Sequence, residues 1–155
     1  MSHTEIVRRE VEAQPILFIR RKVAQTELQA LFMECFPKIF GHAMQSGAAI
    51  AGNPMARYVS VGQGLWTVDA IVPLLKPGSG AGEIESGELQ SGTVAFTVHN
   101  GPYEKLGEVY AAIERWMEEQ GVKPNGPPWE WYVTDPGEHP DPLEWKTELY
   151  WPITQ

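Results

Sequence analysis

Hydrophobic and polar residues alternate along this chain in two periods, and the two periods recur in the same order twice. After Pro15, Ile16-Leu17-Phe18-Ile19-Arg20 is branched and aromatic, as a buried strand requires. Leu28, Leu31, Phe32, Cys35, Phe36, Ile39 and Phe40 then recur at steps of three and four, which predicts one apolar face of a helix. Thr26 and Gln29 have the spacing of a capping box at its start. Pro37 predicts a kink or break inside it, and Gly47 its end. Arg57 to Val61 and Leu65 to Leu75 read as strands joined at Gly62-Gln63-Gly64. Glu5 to Val23 is mostly extended in character.

The second half begins with a strand, Thr93 to His99, and Asn100-Gly101-Pro102 turns into a helix. Tyr103, Leu106, Tyr110, Ile113 and Met117 mark its apolar face, with Val109 and Trp116 beside it, and Gly121 ends it. Trp129 to Thr134 predicts a short strand, Asp135 to Pro142 a Pro-rich turn, and Trp145 to Ile153 the last strand. The landmarks keep nearly constant offsets. Phe18 and Phe96 are 78 apart, Gly47 and Gly121 74, Tyr58 and Tyr132 74, and Pro73 and Pro152 79. The pattern predicts a single α+β domain made of a duplicated β-α-β-β unit with pseudo-twofold symmetry. Each antiparallel sheet carries one helix, and a concave ligand cleft lies between the repeats. Repeat one runs over 5–75 and repeat two over 93–155. Between them, 76–92 is a glycine-rich connector whose early part reads as a mobile loop and whose residues Glu83 to Gln90 fit a short strand or more loop.

Composition narrows the function. Of 155 residues, 43% are hydrophobic and 21% charged, and the net charge is −8. These values fit a soluble globular domain with a sizeable core. The basic runs are short, Arg8-Arg9 and Arg20-Arg21-Lys22, so direct nucleic-acid binding is not expected. No apolar stretch reaches the ~20 residues of a membrane helix, and no secretory leader is legible. The one cysteine, Cys35, lies on the first helix's apolar face, where it reads as a buried inert thiol; a cytoplasmic location is expected. His3, His42, His99 and His139 lack ligand spacing, so no metal is expected. His99 reads as a strand-end histidine. Gly78 to Gly82 lacks the ending of a phosphate loop, Gly62-Gln63-Gly64 lacks the third glycine of a dinucleotide fingerprint, and no cofactor is expected. Ser46, Ser60, Ser79 and Ser91 lack a nucleophile-elbow setting.

The chemistry concentrates in Pro127-Pro128-Trp129-Glu130-Trp131-Tyr132-Val133. Strand alternation puts Trp129 and Trp131 on one face and Glu130 and Tyr132 on the other. Glu130 has two readings from spacing alone: a solvent-facing residue of an amphipathic strand, or a carboxylate set in a cavity. In a cavity it would favour a cationic or hydrogen-bond-donating ligand, with roughly 0.5–2 kcal/mol from each aromatic face on a cation, or it would serve as a general acid or base. Tyr103 either points into the site or fixes the start of its helix by packing.

Gly101-Pro102-Tyr103-Glu104-Lys105-Leu106 with Tyr110 and Trp116 resembles the GyrI-like small-molecule-binding family, as do Trp129-Glu130-Trp131-Tyr132 through Asp135-Pro136 and Thr147-Glu148-Leu149-Tyr150-Trp151-Pro152-Ile153. That family includes effector-binding domains of multidrug-responsive and AraC-type transcription regulators. The resemblance implies the duplicated fold, and a cleft in which Glu130 faces a lipophilic, cationic or polar-tipped xenobiotic. Tyr132 shares its face; Tyr58 and Trp66 are first-half candidates, and Tyr103, Phe96, Glu148 and Tyr150 complete the candidate binding residues. It also implies an alternative, since some members hydrolyse cyclopropane-containing natural products. Glu130 would then be the catalytic carboxylate, assisted by Tyr132 or Tyr103. Some members are described as binding DNA gyrase, which makes a protein partner a third reading. The duplicated domain uses nearly all of the chain and leaves no room for a helix-turn-helix domain. Any transcriptional role is therefore expected to run through a partner. Oligomeric state is not legible.

Overall fold

The computed structural model describes residues 3–134 and 138–155. The predicted turn's Asp135 to Gly137, including the Asp135-Pro136 of the family resemblance, lie outside the described residues. The chain forms two compact units, one of Glu12–Ser91 and one joining the residues up to Val11 with Gly92–Gln155.

The Glu12–Ser91 unit contains β2 (Gln14–Ala24), α1 (Leu28–Ser46), β3 (Met55–Ser60), β4 (Leu65–Pro73) and β5 (Glu85–Leu89). All pairings are antiparallel, in the order β5, β2, β4, β3. The other unit contains β1 (Val7–Val11), β6 (Gly92–Asn100), α2 (Leu106–Gln120), β7 (Trp129–Tyr132) and β8 (Lys146–Pro152). Its order is β1, β6, β8, β7, again antiparallel. Each unit is therefore an α+β element of one helix and four strands, with strands in equivalent places.

The register shows the duplication residue by residue. Ile71 lies opposite both Phe18 and Met55, and Tyr150 lies opposite both Phe96 and Trp129. Tyr58 and Tyr132 hold equivalent positions, and so do Pro73 and Pro152. Gly47 and Gly121 both end their helices in the left-handed region, with φ of 73° and 71°, a conformation only glycine adopts cheaply.

Each helix covers one face of its own sheet. Leu31, Cys35, Ile39 and Ala43 of α1 pack on Leu17 and Ile19 of β2 and Ala70 and Val72 of β4. Leu106, Val109, Ile113 and Met117 of α2 pack on Ala95 of β6 and on Leu149 and Ile153. Each fully buried Leu or Ile contributes on the order of 1.5–3 kcal/mol. Cys35 is fully buried, and desolvation pushes its thiol pKa up.

Four local features refine the sequence expectations. Helix α1 runs unbroken through Pro37. Pro37 removes one helical hydrogen bond, but the stripe of buried residues on both sides of it holds the helix to the sheet. The capping bond lies on the short 3-10 turn Gln25–Glu27 that leads into α1, where the Glu27 carboxylate accepts the Ala24 backbone N–H at 2.9 Å, and does not come from Thr26 and Gln29. The glycine-rich connector is built into the sheet. Ile84 is buried, β5 pairs with β2, and the Ser86 hydroxyl donates to the Gly78 carbonyl at 2.7 Å. Residues Val7–Val11, at the start of the first sequence repeat, pair with β6 and belong to the unit of the second.

The connector is also latched by charge. Glu83 accepts from Arg21 Nε at 2.8 Å and Nη2 at 2.9 Å, and Lys38 Nζ lies 3.2 Å away. The hydrogen bonds from Arg21 hold the Glu83 carboxyl at about 2, below the ordinary 4.5. A carboxyl depressed in the fold stabilises it above its unfolded value and loses that contribution as pH falls toward the folded value. Thermal melts from pH 7 to pH 2 are therefore expected to show a wild-type advantage over Glu83→Gln that shrinks below pH 4.5 and vanishes near pH 2. Half-exposed as it is, the pair is also expected to weaken with added salt.

Candidate functional site

The candidate site forms on the helix-covered face of the β1, β6, β8, β7 sheet. Glu130 lies directly opposite Leu149, which belongs to the cluster under α2, so its side chain points beneath that helix. It is 2% exposed, which rules out the solvent-facing reading of its strand. The Tyr132 hydroxyl donates to Glu130 Oε1 at 2.7 Å. The Tyr110 hydroxyl, brought down from α2, donates to Oε2 at 2.7 Å. Each carboxylate oxygen thus accepts a hydrogen bond from a phenol.

Aromatic rings continue outward from this carboxylate. Tyr103 stands at the short turn before α2, with its ring 5.4 Å from that of Tyr132 and stacked 4.7 Å from Trp145. The Trp145 indole is fixed in turn by donating to the His139 carbonyl at 2.6 Å. The Tyr110 ring meets Trp151 edge-on at 5.8 Å. The result is a buried carboxylate bonded to two tyrosines whose own rings pack on further aromatic residues, a chemistry suited to a cation with apolar substituents.

The structure brings only some of the predicted residues to this place. Glu130, Tyr132 and Tyr103 are together. Phe96, Glu148 and Tyr150 also cluster, but on the opposite face of the same sheet. Tyr150 stacks on Trp129 at 5.5 Å, meets Phe96 at 5.0 Å and donates its hydroxyl to Glu148 Oε1 at 2.5 Å. Burial first, and then this bond to Glu148, push the Tyr150 phenol up, so it stays protonated. Arg9 lies 4.3 Å above the Phe96 ring on that face. These three residues therefore do not contact the Glu130 carboxylate, because side chains alternate across a strand and their register is odd with respect to Glu130. Tyr58 and Trp66 belong to the Glu12–Ser91 unit, where their rings meet edge-on at 6.1 Å.

The register also explains why the carboxylate occurs once. The position equivalent to Glu130 in the other unit is Ala56, opposite Ala70. Conversely, Glu148 corresponds to Asp69. Asp69 is fully buried and accepts from Arg20 Nε at 2.7 Å, Arg20 Nη2 at 3.0 Å and Arg57 Nε at 2.8 Å, with both guanidinium groups stacked over Phe18. That carboxylate is neutralised by two arginines and acts as a structural tie.

The sequence reading left out Tyr110 as a site residue. The signal for Tyr110 was present: a phenol among Leu106, Val109, Ile113 and Met117 places a polar tip in a core stripe, where it requires a partner. His99 is fully buried near the end of β6, and its Nε2 lies 2.8 Å from the Pro102 carbonyl.

Comparisons with known proteins place the fold. The family model for the GyrI-like small molecule binding domain matches residues 4–154. The chain belongs to this family. Among curated protein sequences none matches it. The C-terminal domain of EcmrR has this fold with a TM-score of 0.86 at 20% identity, over 97% of this chain and 98% of that domain. In the EcmrR–DNA complex the match covers all of this chain but 59% of EcmrR, so this chain spans about three-fifths of EcmrR's length. SAV2435 bound to tetraphenylphosphonium matches with a TM-score of 0.71 at 10% identity, over 97% and 94% of the two chains. A hydrolase encoded by lin2189 from Listeria innocua matches with 0.66 at 14% identity, over 97% and 92%. At these identities the likeness is one of fold.

Proposed function

We propose that this GyrI-like domain binds a small lipophilic cation through Glu130 and releases it unchanged. One observation carries the reading: a carboxylate 2% exposed, its two oxygens held by the Tyr110 and Tyr132 hydroxyls, with the Tyr103 ring packed on Tyr132 and Trp145 stacked on Tyr103. Burying a carboxylate is costly, and a cation that reaches it recovers much of that cost while its apolar groups fill the aromatic shell. Such a site discriminates by charge and tolerates varied shapes, as a receptor for xenobiotics must. A cytoplasmic role as a scavenger or as a sensor acting through a DNA-binding partner follows from this reading. The phosphonium bound by SAV2435 has the chemistry expected here.

Hydrolysis is the second reading, favoured by the same carboxylate and by the fold shared with the Listeria hydrolase. Glu130 would deprotonate water for attack on a strained ring, and Tyr132 would protonate the departing carbon or oxygen.

Mass spectrometry of a mixed library of lipophilic cations and cyclopropane-containing compounds, incubated with wild type and Glu130→Gln, separates the two. Binding predicts that cations co-elute intact with wild type and less with the variant. A gain of one water, present with wild type and lost in the variant, would make the domain a hydrolase.

A further inference from the structure

We propose that His99 and Thr147 form a polar subsite next to the Glu130 cluster that takes a hydroxyl or amide group of the ligand. The proposal rests on the reading of Glu130 as the ligand's charged anchor and specifies what the rest of that ligand carries. His99 lies directly opposite Thr147 across β6 and β8, and Thr147 lies directly opposite Tyr132 across β8 and β7. The three side chains thus form one row on the helix-covered face, adjacent to Glu130. His99 and Thr147 are both fully buried. Neither His99 Nδ1 nor Thr147 Oγ1 has a hydrogen-bond partner among the described residues.

The chemistry of the pair is defined by what surrounds it. The Pro102 carbonyl can only accept, so the proton of the neutral His99 ring sits on Nε2, 2.8 Å from that oxygen. This leaves Nδ1 as an acceptor. Thr147 Oγ1 both donates and accepts. Buried groups of this kind are nearly always satisfied in folded proteins, and leaving two side by side is costly. A group that donates to Nδ1 and exchanges a hydrogen bond with Oγ1 satisfies both, and a hydroxyl or an amide does so. Diagonal neighbours on one sheet face are ~7–8 Å apart, which sets the order of the distance between the ligand's cationic centre and this group. The subsite therefore selects polar-tipped cations over purely apolar ones.

The test uses two probes, tetraphenylphosphonium and its analogue with a para-hydroxymethyl group on one ring, titrated into wild type, Thr147→Val and Thr147→Ser. Wild type is expected to prefer the hydroxymethyl compound by about tenfold, the size of one well-made hydrogen bond in a buried site. Thr147→Val should lose that preference while keeping its affinity for tetraphenylphosphonium, and Thr147→Ser should retain it. Tetraphenylphosphonium binding with the same ratio of affinities in wild type and Thr147→Val would overturn the subsite alone, leaving the pair as a site for internal water. Failure of both phosphoniums to bind wild type would overturn the cation reading, and the subsite with it.

Discussion

The Glu130→Gln protein is expected to fold like wild type and to bind tetraphenylphosphonium at least tenfold more weakly. Gln is nearly isosteric with Glu and keeps one oxygen to accept from Tyr132 or Tyr110, so the packing under α2 has no reason to change. What disappears is the charge. Removing one partner of a buried charged contact costs roughly 2–5 kcal/mol when the other charge stays behind, and tenfold corresponds to about 1.4 kcal/mol. Calorimetric titration and a thermal melt on the same samples check both halves of the expectation. An unchanged dissociation constant would remove Glu130 from the binding site. Tyr110→Phe, which leaves the charge and removes one donor to it, is expected to have a smaller effect than Glu130→Gln.

The largest loss of stability is expected in the other unit. Asp69→Ala should destabilise the fold by about 3 kcal/mol, the lower part of the range for breaking a buried ion pair. Asp69 is fully buried and makes three hydrogen bonds to Arg20 and Arg57. Its removal leaves the largely buried Arg57 guanidinium without its anion, while Arg20, whose side chain is 45% exposed, regains water. Urea unfolding should show a lower midpoint at an unchanged slope. Asp69→Asn, which keeps one acceptor oxygen in place, should lose less. A midpoint within error of wild type would show that the arginines are stabilised by stacking on Phe18 alone.

The duplication was legible because it was written in residues with single-residue constraints. Gly47 and Gly121 each supply a left-handed cap, and Phe18 with Phe96, Tyr58 with Tyr132 and Pro73 with Pro152 recur at equivalent register. Strand alternation alone separated Glu130 from Trp129 and Trp131. It could not place Phe96, Glu148 and Tyr150 relative to Glu130, because their shared face depends on how β6, β7 and β8 align. A strand's sequence does not contain its partner's register. The pairing of β1 with β6 was hidden for the same reason, with more than 80 residues between partners such as Val7 and Phe96. In β5, Ser86, Gly87 and Glu88 carry little strand propensity, and pairing with β2 overrides it. Tyr110 was visible as a helix-face residue, but its hydroxyl's destination, 20 positions away on another element, required the tertiary structure.

The central claim is that this GyrI-like domain reads positive charge with a buried carboxylate. Titrating wild type and Glu130→Gln with tetraphenylphosphonium and with neutral triphenylphosphine oxide, which presents similar phenyl faces, tests it most directly. Wild type is predicted to bind the cation at least tenfold more tightly than the neutral compound, and the variant to lose that preference. Equal affinities of wild type for the two compounds, or a preference that survives in Glu130→Gln, would contradict the account.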